Sequence, residues 1–360
     1  MTTKQIDSNS PRAPRNAAQD TAVNPMTVEV TRGTMVESRH RAAFAVTDSG
    51  GRMVLQAGDI ERPIYARSAI KPLQALALLE SGAAEAYGLG DAEIALACAS
   101  HNAESRHVET VHTWLQRIGC TVDDLECGPQ MPARDDDMLA LIRSGQEPTA
   151  AHNNCSGKHT GFLSIARHLG QPTKGYIDYG HPVQQRILGI LEGMSGLDLS
   201  DAPRGIDGCG IPVIGMPLGN LALAMARLGT PSDQPDARQA ACMRICDAMA
   251  AEPFMVAGSE RFCTQVMQVT GRKALIKTGA EGVYCGTLPE HGLGIALKVD
   301  DGAGRAANVL MGRLLQRLEV LGEDDMAALS EVLTPPVLNR ANLEVGEIRA
   351  ASPSLTPGPF

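Results

Sequence analysis

Three short motifs in the chain carry residue types that could perform acyl transfer. Ser68 and Lys71 form an S-x-x-K motif in "YARSAIKP", Ser100 lies in "ASHN", and Lys277 begins "KTG". A serine hydroxyl is a poor nucleophile until a base takes its proton, and a buried lysine with a lowered pKa can serve as that base. Seven of the 32 basic residues are lysine, so most of the positive charge is arginine, which cannot be deprotonated in this way.

The order of these motifs is informative. Serine hydrolases of the penicillin-binding and class A β-lactamase type carry S-x-x-K, S-D-N and K-T-G in this order along the chain. Here the middle motif is S-H-N, at residues 100–102. Each motif alone is also compatible with a structural role, since S-x-x-K can be a helix cap followed by a surface lysine. The three together favour a catalytic site in which Ser68 pairs with Lys71 and Ser100 pairs with Lys277.

A second group of candidates is formed by cysteines in glycine- and asparagine-rich turns. Cys155 and Lys158 lie in "NNCSGKH", and Cys209 lies in "DGCG". Two thiolates could hold zinc, with a neutral lysine amine or a histidine completing the set. A reactive Cys155 nucleophile and simple packing are the alternatives. Because two cysteines 54 positions apart do not form a recognised zinc spacing, the residues alone leave these three interpretations open.

Hydrophobic patterns predict the elements that position these motifs. Runs on both sides of "SGG" predict a hairpin between Ala42 and Gly58, and "PLQALALLESG" predicts a helix over about 68–80 with Ser68 and Lys71 on one face at its N-terminus. The run "AEIALACASHN" predicts a strand with residues 100–102 at its tip. Further helices are predicted at about 105–118, 158–169, 181–194, 217–228, 235–250, 259–269 and 303–321, and three consecutive antiparallel strands at 273–279, 282–288 and 292–301.

This order of elements predicts an α+β fold whose sheet is assembled from both ends of the chain. We expect a disordered tail over residues 1–25, a single catalytic domain over 26–350 with a largely helical portion at about 100–270, and a loose end over 351–360. A net charge of -9 without a basic cluster argues against nucleic acid or an anionic membrane as a partner. Nine scattered cysteines and the polar first 25 residues predict a cytoplasmic protein with reduced thiols.

Six motifs in this order carry a family resemblance: "RSAIKP", "ASHN", "NNCSGKH", "DGCG", "ERFC" and "KTGAEGVYCG". From about Val28 to Arg349 the chain resembles the rhizobial-type, or class 3, L-asparaginases. The resemblance implies hydrolysis of L-asparagine to L-aspartate and ammonia by a homodimer. It also implies a β-lactamase/penicillin-binding-protein-like α+β fold with an antiparallel sheet flanked by helices.

The resemblance further implies roles for individual residues. The expected catalytic residues are Ser68, Lys71, Ser100 and Lys277. The expected substrate-binding residues are Arg67, His101, Asn102, Asp207, Thr278 and Cys263. The expected zinc ligands are Cys155, Lys158 and Cys209, with the zinc helping substrate binding more than the chemistry.

Three questions, of mechanism, class and substrate, stay open at this level. Ser68 is the expected nucleophile because a helix N-terminus suits a developing oxyanion, and Ser100 is then a proton relay or part of the substrate clamp. A β-lactamase or peptidase is the first alternative function, and a non-catalytic zinc or amino-acid binding protein is the second. Activity on L-glutamine is also open, because one methylene changes discrimination by only about 1–3 kcal/mol.

Overall fold

The main feature of the fold is an antiparallel sheet built from both ends of the chain. The computed structural model describes residues 23–351. Eight strands form this sheet in the order β10-β11-β1-β2-β9-β8-β7, with β3 beside β2, and β4-β6-β5 form a smaller sheet. The strands are β1 (Met26–Arg32), β2 (Met35–Asp48), β3 (Met53–Ala57), β4 (Ile64–Tyr65), β5 (Arg204–Ile206), β6 (Pro212–Met216), β7 (Leu275–Thr278), β8 (Val283–Leu288), β9 (Leu293–Val299), β10 (Pro336–Leu338) and β11 (Glu344–Ala350).

Along the sequence, most of the helices come between β3 and β7, that is, between the N-terminal and C-terminal strands of the main sheet. Four short 3₁₀ turns accompany them, at Arg67–Ile70, Val122–Asp124, Ala150–His152 and Gly271–Lys273. The helices are α1 (Lys71–Glu80), α2 (Ala83–Ala86), α3 (Asp91–Ala97), α4 (Ser105–Arg117), α5 (Asp135–Arg143), α6 (Ser156–His168), α7 (Pro182–Ser195), α8 (Leu218–Gly229), α9 (Asp236–Ala251), α10 (Pro253–Ala257), α11 (Phe262–Thr270), α12 (Gly304–Arg317), α13 (Glu323–Ala328) and α14 (Ser330–Leu333).

Strand β2 organises the sheet because its two halves have different neighbours. Its first half, through Arg41, pairs with β1 and alternates between exposed and covered side chains. Its second half, from Ala42, lies between β3 and β9 and is buried on both faces. The continuous apolar run "AAFAV" fits this position, since a strand covered on both faces does not need a polar side.

Two helices cover opposite faces of the main sheet, and two glycines of neighbouring strands mark the two faces. A Cβ on Gly294 would lie 2.1 Å from the Ala222 carbonyl oxygen of α8, so only glycine permits this contact. A Cβ on Gly286, in the neighbouring strand, would instead point toward Met311 of α12, at 3.7 Å. Because Gly294 pairs with Thr287, these two glycines face opposite sides of the sheet. The sheet is therefore the middle layer between α8 and α12.

The structure confirms the α+β class, the sheet from both ends of the chain, the hairpin of β2 and β3, and the three consecutive antiparallel strands β7, β8 and β9. The predicted strand in "AEIALACASHN" is wrong, because Asp91–Ala97 is helix α3. A short apolar run does not distinguish a buried helix from a buried strand by periodicity. The Glu93 side chain accepts a hydrogen bond from the Gly90 backbone N–H at 3.0 Å, which caps the start of this helix.

The two predicted tails fall almost entirely at residues 1–22 and 352–360, outside the described part of the chain. Between residues 23 and 351, no helix combines the length and apolar character needed to cross a membrane.

Candidate active site

Lys71 lies at the centre of the candidate site. It is the first residue of α1 and is 1% exposed. Its Nζ lies 3.0 Å from Ser100 Oγ and 3.1 Å from Cys155 Sγ, and it also contacts the Ala99 carbonyl oxygen. Burial lowers the pKa of Lys71 and the nearby Lys158 charge lowers it further, against the raising effect of Cys155. At 3.0 Å, the buried amine is within proton-transfer distance of the Ser100 hydroxyl.

Ser68 occupies the 3₁₀ turn that precedes α1 and is half-buried. The residue before it, Arg67, has a φ of 52°, a left-handed conformation that non-glycine residues rarely adopt. Among the hydrogen bonds of residues 23–351, none joins the Ser68 hydroxyl to Lys71 or to any other group. The structure thus places the Lys71 amine next to Ser100, whereas the S-x-x-K motif predicted that it would pair with Ser68.

Ser100 is held by the backbone of two other segments. Its N–H donates to the Val256 carbonyl oxygen at 3.0 Å, and the N–H of Asn102 donates to the Ala257 carbonyl oxygen at 3.1 Å. Ala103, which ends this loop, has a φ of 64°. These bonds turn the chain after α3 and point the 7% exposed Ser100 at Lys71.

His101 is buried behind the serine and is hydrogen-bonded on both ring nitrogens. Its Nδ1 accepts from the Ala103 N–H at 3.1 Å, so its Nε2 carries the proton and donates to Ser156 Oγ at 2.9 Å. Its ring stacks on His107 with centroids 4.8 Å apart. Burial and the neighbouring His107 hold the pKa of His101 well below its usual value, so the ring is neutral. The hydrogen bond between His101 and Ser156 was not predicted, although Ser156 lies inside the motif "NNCSGKH".

Lys277 and Thr278 end strand β7 beside the start of the Ser68 turn. A Cβ on Gly279 would lie 2.7 Å from the Ala66 carbonyl oxygen, so the glycine of "KTG" allows this strand end to pack against that turn. Lys277 is fully buried, and its Nζ donates to the Thr278 carbonyl oxygen at 2.7 Å. Burial lowers the pKa of Lys277 to about 7; Cys263 opposes this shift, and the Lys71 charge adds to it. No hydrogen bond in residues 23–351 joins Lys277 to Ser100.

Cys155, Lys158 and Cys209 come together, although they are far apart in the sequence. Lys158 Nζ lies 3.0 Å from Cys209 Sγ, and the two thiols share a hydrogen bond. That bond, together with the Lys158 and Lys71 charges, holds the pKa of Cys155 well below its usual value despite burial, and the same bond raises the pKa of Cys209. Burial is the largest single effect and would lower the pKa of Lys158, but Cys155, Cys209 and Asp207 together outweigh it and the pKa is raised. Of the two thiols, Cys155 is therefore the one that loses its proton more readily.

The donor set partly fits zinc. Thiolates are good zinc ligands, and Cys155 begins helix α6 as its N-cap, where the helix dipole favours a thiolate. Among residues 23–351, no group of three histidine, cysteine, aspartate or glutamate side chains could hold a metal ion. The third protein donor would therefore be Lys158, which has to be neutral to donate a lone pair.

Arg67 and Asp207 form an ion pair at the site. Nε and Nη2 of Arg67 lie 2.8 and 2.7 Å from the same carboxylate oxygen of Asp207. Burial would raise the pKa of Asp207, but the Lys158 and Arg67 charges hold it below its usual value. This ion pair joins the strained turn before Ser68 to the "DGCG" turn that carries Cys209.

The remaining predicted substrate-binding residues occupy the far side of the site. The Asn102 amide bonds to Glu104, Ser259 and Arg261. Cys263 is 1% exposed, and its Sγ lies 2.8 Å from Tyr284 Oη. Arg261 was missed although it lies inside the motif "ERFC", and Glu104 was missed because nothing in a single sequence links it to the motif serines.

The chain matches one family model and is similar to several solved structures. The family model described as L-asparaginase II matches residues 28–350. No curated protein matches the chain. The chain is similar to the crystal structure of Mglu, at 16% identity and a TM-score of 0.44, covering 84% of this chain and 73% of that chain.

Two further solved structures are similar to the chain. One is a β-lactamase from Mycobacterium bovis, at 18% identity and a TM-score of 0.35, covering 81% of this chain and 95% of that chain. The other is the D-alanine carboxypeptidase AmpC from Burkholderia cenocepacia, at 13% identity and a TM-score of 0.36, covering 75% and 93%. With every TM-score below 0.5, these structures carry no argument about activity. The family model does, because it spans nearly the whole described chain: this protein belongs to the L-asparaginase II family.

Proposed function

We propose that the protein is a serine–lysine amidohydrolase that converts L-asparagine to L-aspartate and ammonia. The observation that carries this proposal is the buried contact between Lys71 Nζ and Ser100 Oγ at 3.0 Å. A buried amine next to a hydroxyl is an arrangement that activates serine for attack on an amide. The family supplies the amide class of the substrate.

In the proposed reaction, Ser68 Oγ attacks the side-chain amide carbon while its proton passes through Ser100 to Lys71. The C–N bond then breaks, and Lys71 returns the proton to the leaving ammonia. Water hydrolyses the resulting ester to L-aspartate and regenerates the serine. The half-buried Ser68 leaves its hydroxyl accessible to a substrate, whereas Ser100 already contacts the base.

One observation favours a second assignment of the nucleophile. A nucleophile and its base lie within hydrogen-bond distance in many enzymes, and here that distance joins Lys71 to Ser100. In this alternative, Ser100 attacks and Ser68 orients the substrate. The overall reaction is the same in both cases.

Ammonia release from L-asparagine, with L-glutamine in parallel, tests the proposed activity. We expect rapid release from L-asparagine. No release from either amide by folded, zinc-supplied protein would contradict the proposal. Turnover of β-lactams or small peptides in the same samples would instead support a β-lactamase or peptidase.

The rate is expected to fall below about pH 7, because the pKa of Lys277 is lowered to about 7. Above this pH Lys277 is neutral, whereas below it the ammonium adds a positive charge near Lys71 and disfavours proton uptake by that base. A plot of log kcat/KM against pH should therefore rise through this region and level off above it. Lys277→Arg, which stays charged, should lose both the activity and this limb of the profile; an unchanged profile would exclude Lys277 from the reaction.

Zinc binding by Cys155, Lys158 and Cys209 is the second part of the proposal. A bound zinc would supply positive charge that holds the substrate and its water in place. Elemental analysis of protein purified without chelator should find about one zinc per chain, the stoichiometry of a single set of three protein ligands. Cys155→Ala should lose the metal, while Cys242→Ala, a buried cysteine of α9, should keep it. Absence of zinc from the unmodified protein would remove this part of the proposal.

A homodimer and a cytoplasmic location complete the proposal. Both rest on the sequence: the first on the family resemblance and the second on the scattered cysteines. Gel filtration with light scattering measures the oligomeric state directly.

A further inference from the structure

Arg261 carries a positive charge beside the candidate site, and no carboxylate of residues 23–351 forms an ion pair with it. It is partly buried and immediately precedes α11. Its side chain makes one hydrogen bond, from Nη1 to Asn102 Oδ1 at 2.9 Å. None of the ion pairs formed within residues 23–351 includes Arg261. A guanidinium presents five donors, so most of its hydrogen-bonding capacity is open to a ligand.

The Asn102 side chain is fixed so that its oxygen faces Arg261. Its Nδ2 donates to the Ser259 carbonyl oxygen at 3.0 Å and to Glu104 Oε1 at 3.2 Å. With both amide hydrogens used, Oδ1 is the atom left to accept from the guanidinium. Asn102, two residues after Ser100, thereby ties Arg261 to the loop that carries the serine.

Glu104 clamps the loop that carries Arg261. Its two carboxylate oxygens accept from the N–H and the hydroxyl of Ser259, each at 2.7 Å. Gly258 makes the close approach possible: it has a φ of +105°, and a Cβ there would lie 2.4 Å from Glu104 Oε1. The carboxylate of Glu104 is directed to Ser259 and to Arg134, 3.2 Å away, rather than to Arg261. The loop is thus held by hydrogen bonds to Glu104, and no ion pair within residues 23–351 compensates the Arg261 charge.

The other cations of the site are already engaged. Arg67 is paired with Asp207, and Lys158 contacts Cys209 beside the Cys155 thiolate. Arg261 nevertheless acts on the site: its charge is among the influences that lower the pKa of Lys277 and of His101, after the larger effect of burial.

We propose that Arg261 binds the α-carboxylate of the substrate, with Asn102 as its positioning residue. The inference rests on the proposed function and assigns the group that selects amino-acid amides over amides that lack a carboxylate. An arginine fork suits a carboxylate because it can donate two parallel hydrogen bonds.

The test compares two substrates on Arg261→Gln. L-asparagine has the carboxylate, and 3-aminopropanamide is the same molecule without it. Removing a charge-assisted contact is expected to lower kcat/KM for L-asparagine by about 10- to 100-fold, mainly through KM. The value for 3-aminopropanamide should change by less than about twofold, because its complex never contained the contact. Arg261→Lys should lie between the two, because it keeps the charge but loses the fork.

Arg106→Gln is the matched control. Arg106 is half-exposed and paired with Glu252 at 2.7 Å, so its loss should leave both substrates unaffected. Equal losses on both substrates in Arg261→Gln, or no loss on L-asparagine, would overturn the proposal.

A binding measurement separates this inference from the proposed function. Calorimetry with L-aspartate needs no turnover. Binding by the unmodified protein that weakens at least about tenfold in Arg261→Gln supports the carboxylate site even if no ammonia is released. Equal binding by the two proteins, or no binding by the unmodified one, overturns the carboxylate site whatever the amidase assay shows.

Discussion

Replacing Lys71 with methionine is expected to lower kcat for ammonia release from L-asparagine by about 10³-fold or more. Among residues 23–351, Lys71 is the lysine whose amine contacts a site serine, with Nζ 3.0 Å from Ser100 Oγ. Methionine has a similar length and no basic atom, so the variant removes the proton acceptor while filling the buried space. Steady-state kinetics and thermal unfolding of the same sample measure both properties.

Two further variants show whether the loss comes from the base. Lys71→Arg keeps a cation that cannot be deprotonated, so it should be as inactive as Lys71→Met. Lys273→Met removes a partly exposed lysine paired with Asp325 at 2.7 Å, outside the site, and should retain full activity. A Lys71→Met protein with kcat within tenfold of the unmodified enzyme would refute the base assignment.

Ser68→Ala is expected to lower kcat by about 10³- to 10⁶-fold, the range found when a catalytic nucleophile is removed. Folding should be unaffected, because Ser68 is half-buried and its hydroxyl makes no hydrogen bond among residues 23–351. Ser81→Ala, which removes a hydroxyl bonded to the Leu78 carbonyl oxygen at 3.1 Å, is a control at the other end of α1. Turnover and the thermal midpoint should be measured for both.

The comparison with Ser100→Ala decides which serine attacks. If Ser68 is the nucleophile, mass spectrometry of quenched reactions should find the acyl group on the peptide of Ser68, and Ser100→Ala should retain residual turnover. Near-normal kcat in Ser68→Ala together with an inactive Ser100→Ala would transfer the nucleophile to Ser100. The Lys71–Ser100 contact gives that result a ready physical explanation.

The sequence by itself determined the fold class and the set of candidate residues. Periodicity is a local signal, so the eight predicted helices and the β7–β9 meander were found with only small errors at their ends, whereas helix α5 (Asp135–Arg143) and the short helices α2, α10, α13 and α14 were missed. Residue chemistry is also local: a lysine near a serine or a cysteine in a glycine-rich turn is recognisable without coordinates. Local signals failed at Asp91–Ala97, where four buried apolar residues fit a helix and a strand equally well.

Only the tertiary structure decided which of these residues touch. Lys71 is three positions from Ser68 in sequence, yet its amine lies against Ser100 and Cys155, because α1 is buried and its first side chain points at the loops after α3 and before α6. The uncompensated charge of Arg261 depends on which carboxylates lie near it, and Glu104 is occupied by Ser259 and Arg134. The contacts cited here join residues 29 to 155 positions apart, and no periodic pattern in one sequence encodes them.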